Sequence, residues 1–258
     1  MTSIDLTGRV AIVTGAGTGL GAAISRALVE AGADILLHYR DSAASLERVA
    51  AECRAMGRRV ETIRADFSAD PGSAAGVVDA AAERFGRVDI LVNNAAVTTK
   101  VEPFETHSRA LFEEVLRVNV LAPFLASQAA ARHMAAAGRG GRIINIGSVH
   151  ARQAVPGYTA YEASKGALGA LTFSSAVELG GYGITVNNVA PGAVLVERYA
   201  DLDWDEAWTV SRTPVGRMGR PDDIAATVRF LASDEAGFIS GETIYVDGGM
   251  TRRMPLVK

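Results

Sequence analysis

Seven short runs of β-branched and apolar residues recur along this chain, and stretches with helical spacing separate them. Strands that alternate with helices pair in parallel, and the helices then cover both faces of the sheet. The expected class is therefore α/β, a doubly wound parallel sheet. The strands are expected at 9–14, 34–39, 60–65, 89–92, 142–147, 184–189 and 243–246. Helices are expected at 19–31, at 43–56 before Gly57, and at 72–85 before Gly86. A long one at 108–137 should step or kink at Pro123, and another carries Tyr161 and Lys165. Pro221-Asp222-Asp223 opens a last helix with proline first and acids in the first turn. Residues 191–220 show no strand pattern and form the longest irregular stretch, the expected place of a substrate lid at about 191–213. No repeat or linker-like shift breaks the series, so one domain over 1–258 is expected.

Composition narrows the function. A hydrophobic content of 48% with 21% charged residues suits a sizeable core. The net charge of −3 offers no basic footprint for nucleic acid and no polybasic patch for a membrane. No apolar run reaches the length of a membrane span, and the first residues lack the pattern of a signal peptide. A single cysteine, Cys53, rules out an intrachain disulfide and a thiolate metal cluster, so no metal is expected. A cytoplasmic protein is the expectation.

Two stretches carry chemistry. Thr14-Gly15-Ala16-Gly17-Thr18-Gly19-Leu20-Gly21 lies between the first strand and the first helix, as a dinucleotide pyrophosphate site requires. Gly15 permits a tight turn, Gly19 and Gly21 allow close approach, and the helix N-terminus offers amides and positive dipole to phosphates. A small-residue turn without a ligand would look the same. Further on, Tyr161 and Lys165 stand four apart on one helical face. An ammonium about 4 Å from a phenol, at an effective dielectric near 20, favours the phenolate by up to roughly 4 kcal/mol. That suits a general acid–base near neutral pH. Alone, the same spacing also describes an ordinary amphipathic helix.

Together, Thr-Gly-x-x-x-Gly-x-Gly, Asn93-Asn94-Ala95, and Ser148 followed by Tyr161-x-x-x-Lys165 resemble the short-chain dehydrogenase/reductase family. The resemblance runs from Gly8 to Gly249. It implies a Rossmann-like fold of strand order 3-2-1-4-5-6-7, a nicotinamide coenzyme, and hydride exchange with an alcohol or carbonyl. By resemblance, Tyr161 is the general acid in reduction and the base in oxidation. Lys165 tunes it and holds the nicotinamide ribose, Ser148 polarises the substrate oxygen, and Asn119 anchors a relay water. Asp66 resembles the adenine contact, Asn93 and Ala95 the fourth-strand contacts, and Pro191-Gly192 the turn beside the nicotinamide. The threonine usual after that turn is missing from Gly192-Ala193-Val194-Leu195-Val196, which moves carboxamide binding to the Val194 backbone. Ala96 stands where the family has glycine.

Coenzyme choice is read after the second strand, in His38-Tyr39-Arg40-Asp41. An acid there selects NAD and an arginine selects NADP. Tyr39 takes the acid position and Arg40 the next, which favours NADP. Asp41 keeps NAD as the alternative, and the glycine turn offers Thr18 and no second arginine. His150 stands two after Ser148 as a candidate substrate contact beside Gln153. The run from Ser148 to Tyr161 is similar to sugar 1-dehydrogenases, whereas Gly216–Asp223 and Gly241–Gly249 look equally like 3-oxoacyl carrier-protein reductases. The expected substrate is a small polar alcohol or carbonyl, with an acyl carrier-protein substrate as the alternative. A catalytically inactive coenzyme-binding module would lack Tyr161 or Lys165, and both are present. Trp204 and Trp208 offer an apolar face to a lid helix, and Asp201, Asp203, Asp205 and Glu206 an acidic rim. Relatives pair their fourth and fifth helices into tetramers, and the alanine-rich 126–137 offers a close-packing surface for a homotetramer.

Overall fold

A computed structural model describes residues 4–98, 101–197 and 205–253. The strands are β1 (Val10–Val13), β2 (Asp34–Tyr39), β3 (Val60–Arg64), β4 (Ile90–Asn93), β5 (Gly141–Ile146), β6 (Ile184–Pro191) and β7 (Thr243–Val246). The helices are α1 (Gly19–Glu30), α2 (Ala43–Ala55), α3 (Ser73–Phe85), α4 (Arg109–Leu116), α5 (Ala122–Ala137), α6 (Thr159–Leu179), α7 (Glu206–Arg212) and α8 (Pro221–Leu231). The strands form one parallel sheet in the order β3-β2-β1-β4-β5-β6-β7.

Successive strand residues face opposite sides, so an apolar strand feeds two cores. Ala11, Val13, Ile35 and Leu37 pack with Ile24 and Leu28 of α1, Leu46 and Val49 of α2, and Ile224 and Val228 of α8. Ile12, Leu36 and Leu91 pack with Val77 and Val78 of α3 and Ala126, Ala129, Ala130 and Met134 of α5. An open parallel sheet binds its ligand at the C-terminal ends of its strands.

Three details depart from the sequence reading. The break in the long helix falls before Pro123, in a π-helical turn at Arg117–Leu121, and Pro123 lies in the first turn of α5. Proline has no N–H for the carbonyl four residues back, which is that of Asn119. The ladder widens there, and the Ala122 amide reaches the Arg117 carbonyl instead. Second, Ala126, Ala129, Ala130 and Ala131 are buried under α3, so this part of the alanine stretch is a helix face within the subunit, the other arrangement its sequence allowed. Third, the stretch 191–220 contains α7 and a parallel bridge between Val194 and Gly219. Among the described residues, no helix is long and apolar enough to cross a membrane.

Candidate active site

Backbone from four strand ends shapes the glycine turn. Gly15 has φ +65°, and a Cβ on it would lie 3.0 Å from the Ala95 Cα. A Cβ on Gly21 would lie 2.1 Å from the Gly15 carbonyl oxygen, so the first turn of α1 presses onto the loop as only glycine allows. The Thr14 hydroxyl accepts from the Asn94 and Ala95 amides at 3.0 and 2.9 Å. The Asn94 side chain donates back to the carbonyls of Thr14 and Gly15 at 2.9 and 3.0 Å. Thr18 precedes α1 with an extended backbone and no side-chain cap, and Leu20 is half-buried behind it.

The imidazole of His38 completes this frame. Its Nδ1 accepts from the Gly15 amide at 3.2 Å, which puts the ring proton on Nε2, donated to the Ala65 carbonyl at 3.1 Å. The ring stacks on Phe67 with centroids 4.2 Å apart. Burial pushes His38 down to about 4, so it is neutral at ordinary pH and keeps that acceptor. At the N-terminus of α1 the Gly19 amide donates to the Glu197 carboxylate at 3.2 Å. An anion therefore already stands where amides and dipole favour one. This cradle fits a dinucleotide pyrophosphate: it is closed to a Cβ at Gly15 and Gly21, rich in amides, and favours negative charge.

Tyr39 ends β2 half-buried, and Arg40 and Asp41 follow it exposed at the sheet edge. Arg40 Nε donates to Asp41 at 2.5 Å, and its Nη1 lies 3.5 Å from the Ser68 hydroxyl. Asp66 is turned into its own loop, where it accepts from the Ser68 hydroxyl and amide and, at 3.4 Å, from the Ala69 amide. Those bonds, the Ser68 hydroxyl first, hold its carboxyl below the usual range. The Asp66 side chain is thus engaged in the turn.

At the other end, Asn93 closes β4 by donating to Asn145 of β5 and Ser127 of α5, and Asn145 donates to Thr172 of α6. This buried amide chain sets α6 against the sheet. Lys165 on α6 is 3% exposed, and its Nζ donates to the Ile146 carbonyl at 2.8 Å. Nζ also lies 5.5 Å from the centre of the Tyr161 ring. Asn119 sits in the π-helical turn, where its side chain spans both bonds of Val97 and donates to Ser164 at 3.1 Å. Ser148, at the end of β5, is buried, and its hydroxyl oxygen accepts from the His150 amide at 3.2 Å. The His150 ring stacks on Tyr158 and meets Tyr161 edge-on, with centroids 5.9 and 6.0 Å away. Ser148, His150, Tyr161 and Lys165 therefore form one cluster. Glu162 accepts from the Val155 amide at 2.6 Å and so anchors the loop above it.

Pro191 ends β6. A Cβ on Gly192 would lie 2.7 Å from the Asp247 Cβ, so the turn runs hard against the residue after β7. In the 194–219 bridge the Ala193 carbonyl and the Leu195 amide pair with Gly219, which leaves the Val194 N–H and C=O to face outward. Trp208 is exposed on α7 under the Arg212 guanidinium. Trp204, Asp201 and Asp203 lie outside the described residues. Among the described residues no group of His, Cys, Asp or Glu is placed to hold a metal. The sequence reading missed Thr14, His38, Asn94 and Glu197 as shapers of the site. Thr14, His38 and Asn94 lay inside quoted stretches and Glu197 did not, but all four act through bonds to residues far along the chain.

Residues 15–251 match the family model described as enoyl-(acyl carrier protein) reductase. L-rhamnose 1-dehydrogenase (NAD(P)(+)) of Sphingomonas sp. is 36% identical over 95% of this chain and 97% of its own. Acetoin dehydrogenase from Enterobacter cloacae superposes with a TM-score of 0.90 at 38% identity, over 98% of this chain and all of its own. A blue fluorescent protein from a metagenomic library, solved with NADPH, gives 0.88 at 38% over 95% and 99%. The chain thus belongs to the short-chain dehydrogenase/reductase family, as an NAD(P)-dependent oxidoreductase that exchanges a hydride with a small alcohol or carbonyl compound.

Proposed function

We propose that the enzyme prefers NADP(H) and acts on a small polar substrate of the sugar or polyol class. The observation that carries the substrate reading is His150 against Tyr161. Its Nδ1 lies 3.2 Å from the Gln153 carbonyl, which can only accept, so Nδ1–H donates there. Nε2 is then the ring nitrogen left to meet a hydroxyl near the reacting carbon. An L-rhamnose 1-dehydrogenase among the relatives, named for a sugar substrate, supports the same class.

When bound, the nicotinamide ring supplies or accepts the hydride. Tyr161 gives its proton to the substrate oxygen in reduction and takes it back in oxidation. Lys165, buried beside it, favours the phenolate and holds the nicotinamide ribose. The Ser148 oxygen is held by the His150 amide, so its own O–H is left to donate to the substrate oxygen. The Asn119 carbonyl, deprived by Pro123 of its α-helical donor, holds the relay water. Gly15, Thr18, Gly19, Leu20 and Gly21 hold the pyrophosphate, Asp66 with Asn93 and Ala95 the adenine and ribose side, and Pro191, Gly192 and Val194 the carboxamide. Residues 191–213 act as the lid within one catalytic domain. Arg40 supports the NADP preference.

The same reading makes the enzyme a cytoplasmic homotetramer. Its surface carries an apolar groove between α5 and α6, lined by Leu116, Val120, Leu121, Phe124 and Leu171. Phe173 and Val177 are exposed elsewhere on α6, and the fully exposed Phe238 marks a further apolar site. Apolar area of this kind is what paired copies bury. Light scattering should give a multiple of 27.0 kDa at micromolar concentration, and a monomer would contradict the tetramer.

The substrate reading is tested by kcat/KM for aldoses and polyols beside a short 3-oxoacyl thioester, with both coenzymes. Polar substrates should win. A thioester preferred about 100-fold, roughly 2.7 kcal/mol of discrimination, would move the enzyme to acyl reduction.

A further inference from the structure

We propose that Arg64, the last residue of β3, is a second ligand for the ribose 2′-phosphate, acting beside Arg40. The inference rests on the NADP reading above and names how that phosphate is held. Arg64 is the register partner of Tyr39 across the β2–β3 pair, so it stands at the C-terminal sheet edge where the adenosine half of a dinucleotide binds. Its side chain does not run out into solvent along its own strand. It crosses to the turn after β2, where Nε donates to the Arg40 carbonyl at 3.0 Å.

That bond uses one of the five guanidinium donors and fixes the plane. Among the described residues the only hydrogen bond of the Arg64 guanidinium is that of Nε, so neither Nη group has a protein acceptor there. Arg40 is pinned in the same manner, by Nε to Asp41 and more loosely by Nη1 to Ser68. Two guanidinium groups, each held through Nε, therefore flank one short turn. A phosphate accepts bidentate bonds from such edges.

Charge gives the second arginine a purpose. Asp41 already pairs with Arg40 at 2.5 Å, so that pair alone presents little net charge to a dianion. Asp66 is held by the neutral donors of Ser68 and Ala69 and keeps its charge as a second carboxylate near Arg40. Arg64 adds the second positive charge that offsets this second carboxylate. NADH lacks the 2′-phosphate and gains nothing from it, so Arg64 sets specificity and takes no part in the chemistry.

The test measures coenzyme affinity by the fluorescence of bound NADPH and NADH, together with competition by 2′-AMP and 5′-AMP. The proteins are wild type, Arg64→Gln, Arg64→Lys, Arg40→Ala and the Arg40→Ala/Arg64→Gln double variant. Glutamine keeps a donor for the Arg40 carbonyl but removes the charge and the fork, whereas lysine keeps the charge. Arg64→Gln should weaken NADPH and 2′-AMP roughly 10-fold or more, leave NADH and 5′-AMP within about 2-fold, and leave Tm unchanged. Arg64→Lys should recover part of the loss, and the double variant should bind NADPH no better than NADH. If Arg64→Gln binds NADPH like wild type while Arg40→Ala does not, Arg64 is only a tether and the proposal fails. Equal losses of both coenzymes in Arg64→Gln also overturn it. If wild type binds NADH more tightly and neither variant changes NADPH, the NADP reading itself falls, and this inference with it.

Discussion

At the coenzyme end, Thr14, His38 and Asn94 are tied to backbone at the end of a neighbouring strand. At the substrate end, the polar groups hang from loops. Thr14, Asn94 and His38 each bond main-chain atoms of a neighbouring element, and all are buried or half-buried. His150 and Gln153 bond each other within one loop, and Trp208 stands exposed on a helix of 7 residues. The difference teaches where change is tolerated. A frame whose atoms come from several strands fails as a unit, whereas a loop can exchange residues and keep the fold. The same architecture can therefore keep one coenzyme site while the loops around Ser148 and Tyr161 select different substrates.

The comparison is sharpened first at Gly21. Gly21→Ala puts a methyl 2.1 Å from the Gly15 oxygen, so α1 must move off the turn. A loss of about 3 kcal/mol of stability is expected by denaturant titration, with coenzyme affinity falling at least about 100-fold. A variant that binds coenzyme normally would show that the close approach is not required.

His38 gives a similar effect through pH. Its ordinary value of 6.5 falls to about 4 in the fold. The folded protein resists a proton that the unfolded chain accepts, so this contribution is intact above about 6.5. It is lost progressively as pH falls toward about 4, to a total of about 3 kcal/mol. His38→Asn should remove that part of the acid sensitivity. Unchanged acid denaturation in the variant would mean that the ring is not a buried neutral acceptor.

The smallest effect crosses from one end to the other. Glu197 follows the substrate-side loop 192–196, yet its carboxylate takes the Gly19 amide at the head of α1. A charge at a helix N-terminus is worth about 0.3–1 kcal/mol, and here it competes with the pyrophosphate. Glu197→Gln should tighten both coenzymes about 2- to 5-fold by equilibrium titration. Weaker binding would instead make Glu197 part of the coenzyme site.

The same contrast explains what could be read along the chain. The strands and helices followed from periodicity and their order from a family pattern, since the central strands are buried along most of their length. The glycines at 15 and 21 were legible because a strand–turn–helix joint leaves no room for a Cβ. Pro123 announced a break but not its place: a proline disturbs the carbonyl four residues before it, so the turn fell around Asn119. The alanines of α5 could have faced a partner or a core, and only the packing of α3 decides that. His38 and Arg64 were invisible because their partners lie 23 and 24 residues away across the β1–β2 and β2–β3 pairs.

The central claim is that Tyr161, held beside Lys165 on α6, moves the proton in a hydride exchange at an otherwise intact coenzyme site. Tyr161→Phe tests it most directly, with turnover followed at the nicotinamide absorbance band and coenzyme affinity measured on the same protein. The account predicts a fall in kcat of about 10²–10⁴ or more, with NADPH and NADH affinity close to wild type. Retention of more than about a tenth of the activity, against a controlled background, would contradict it.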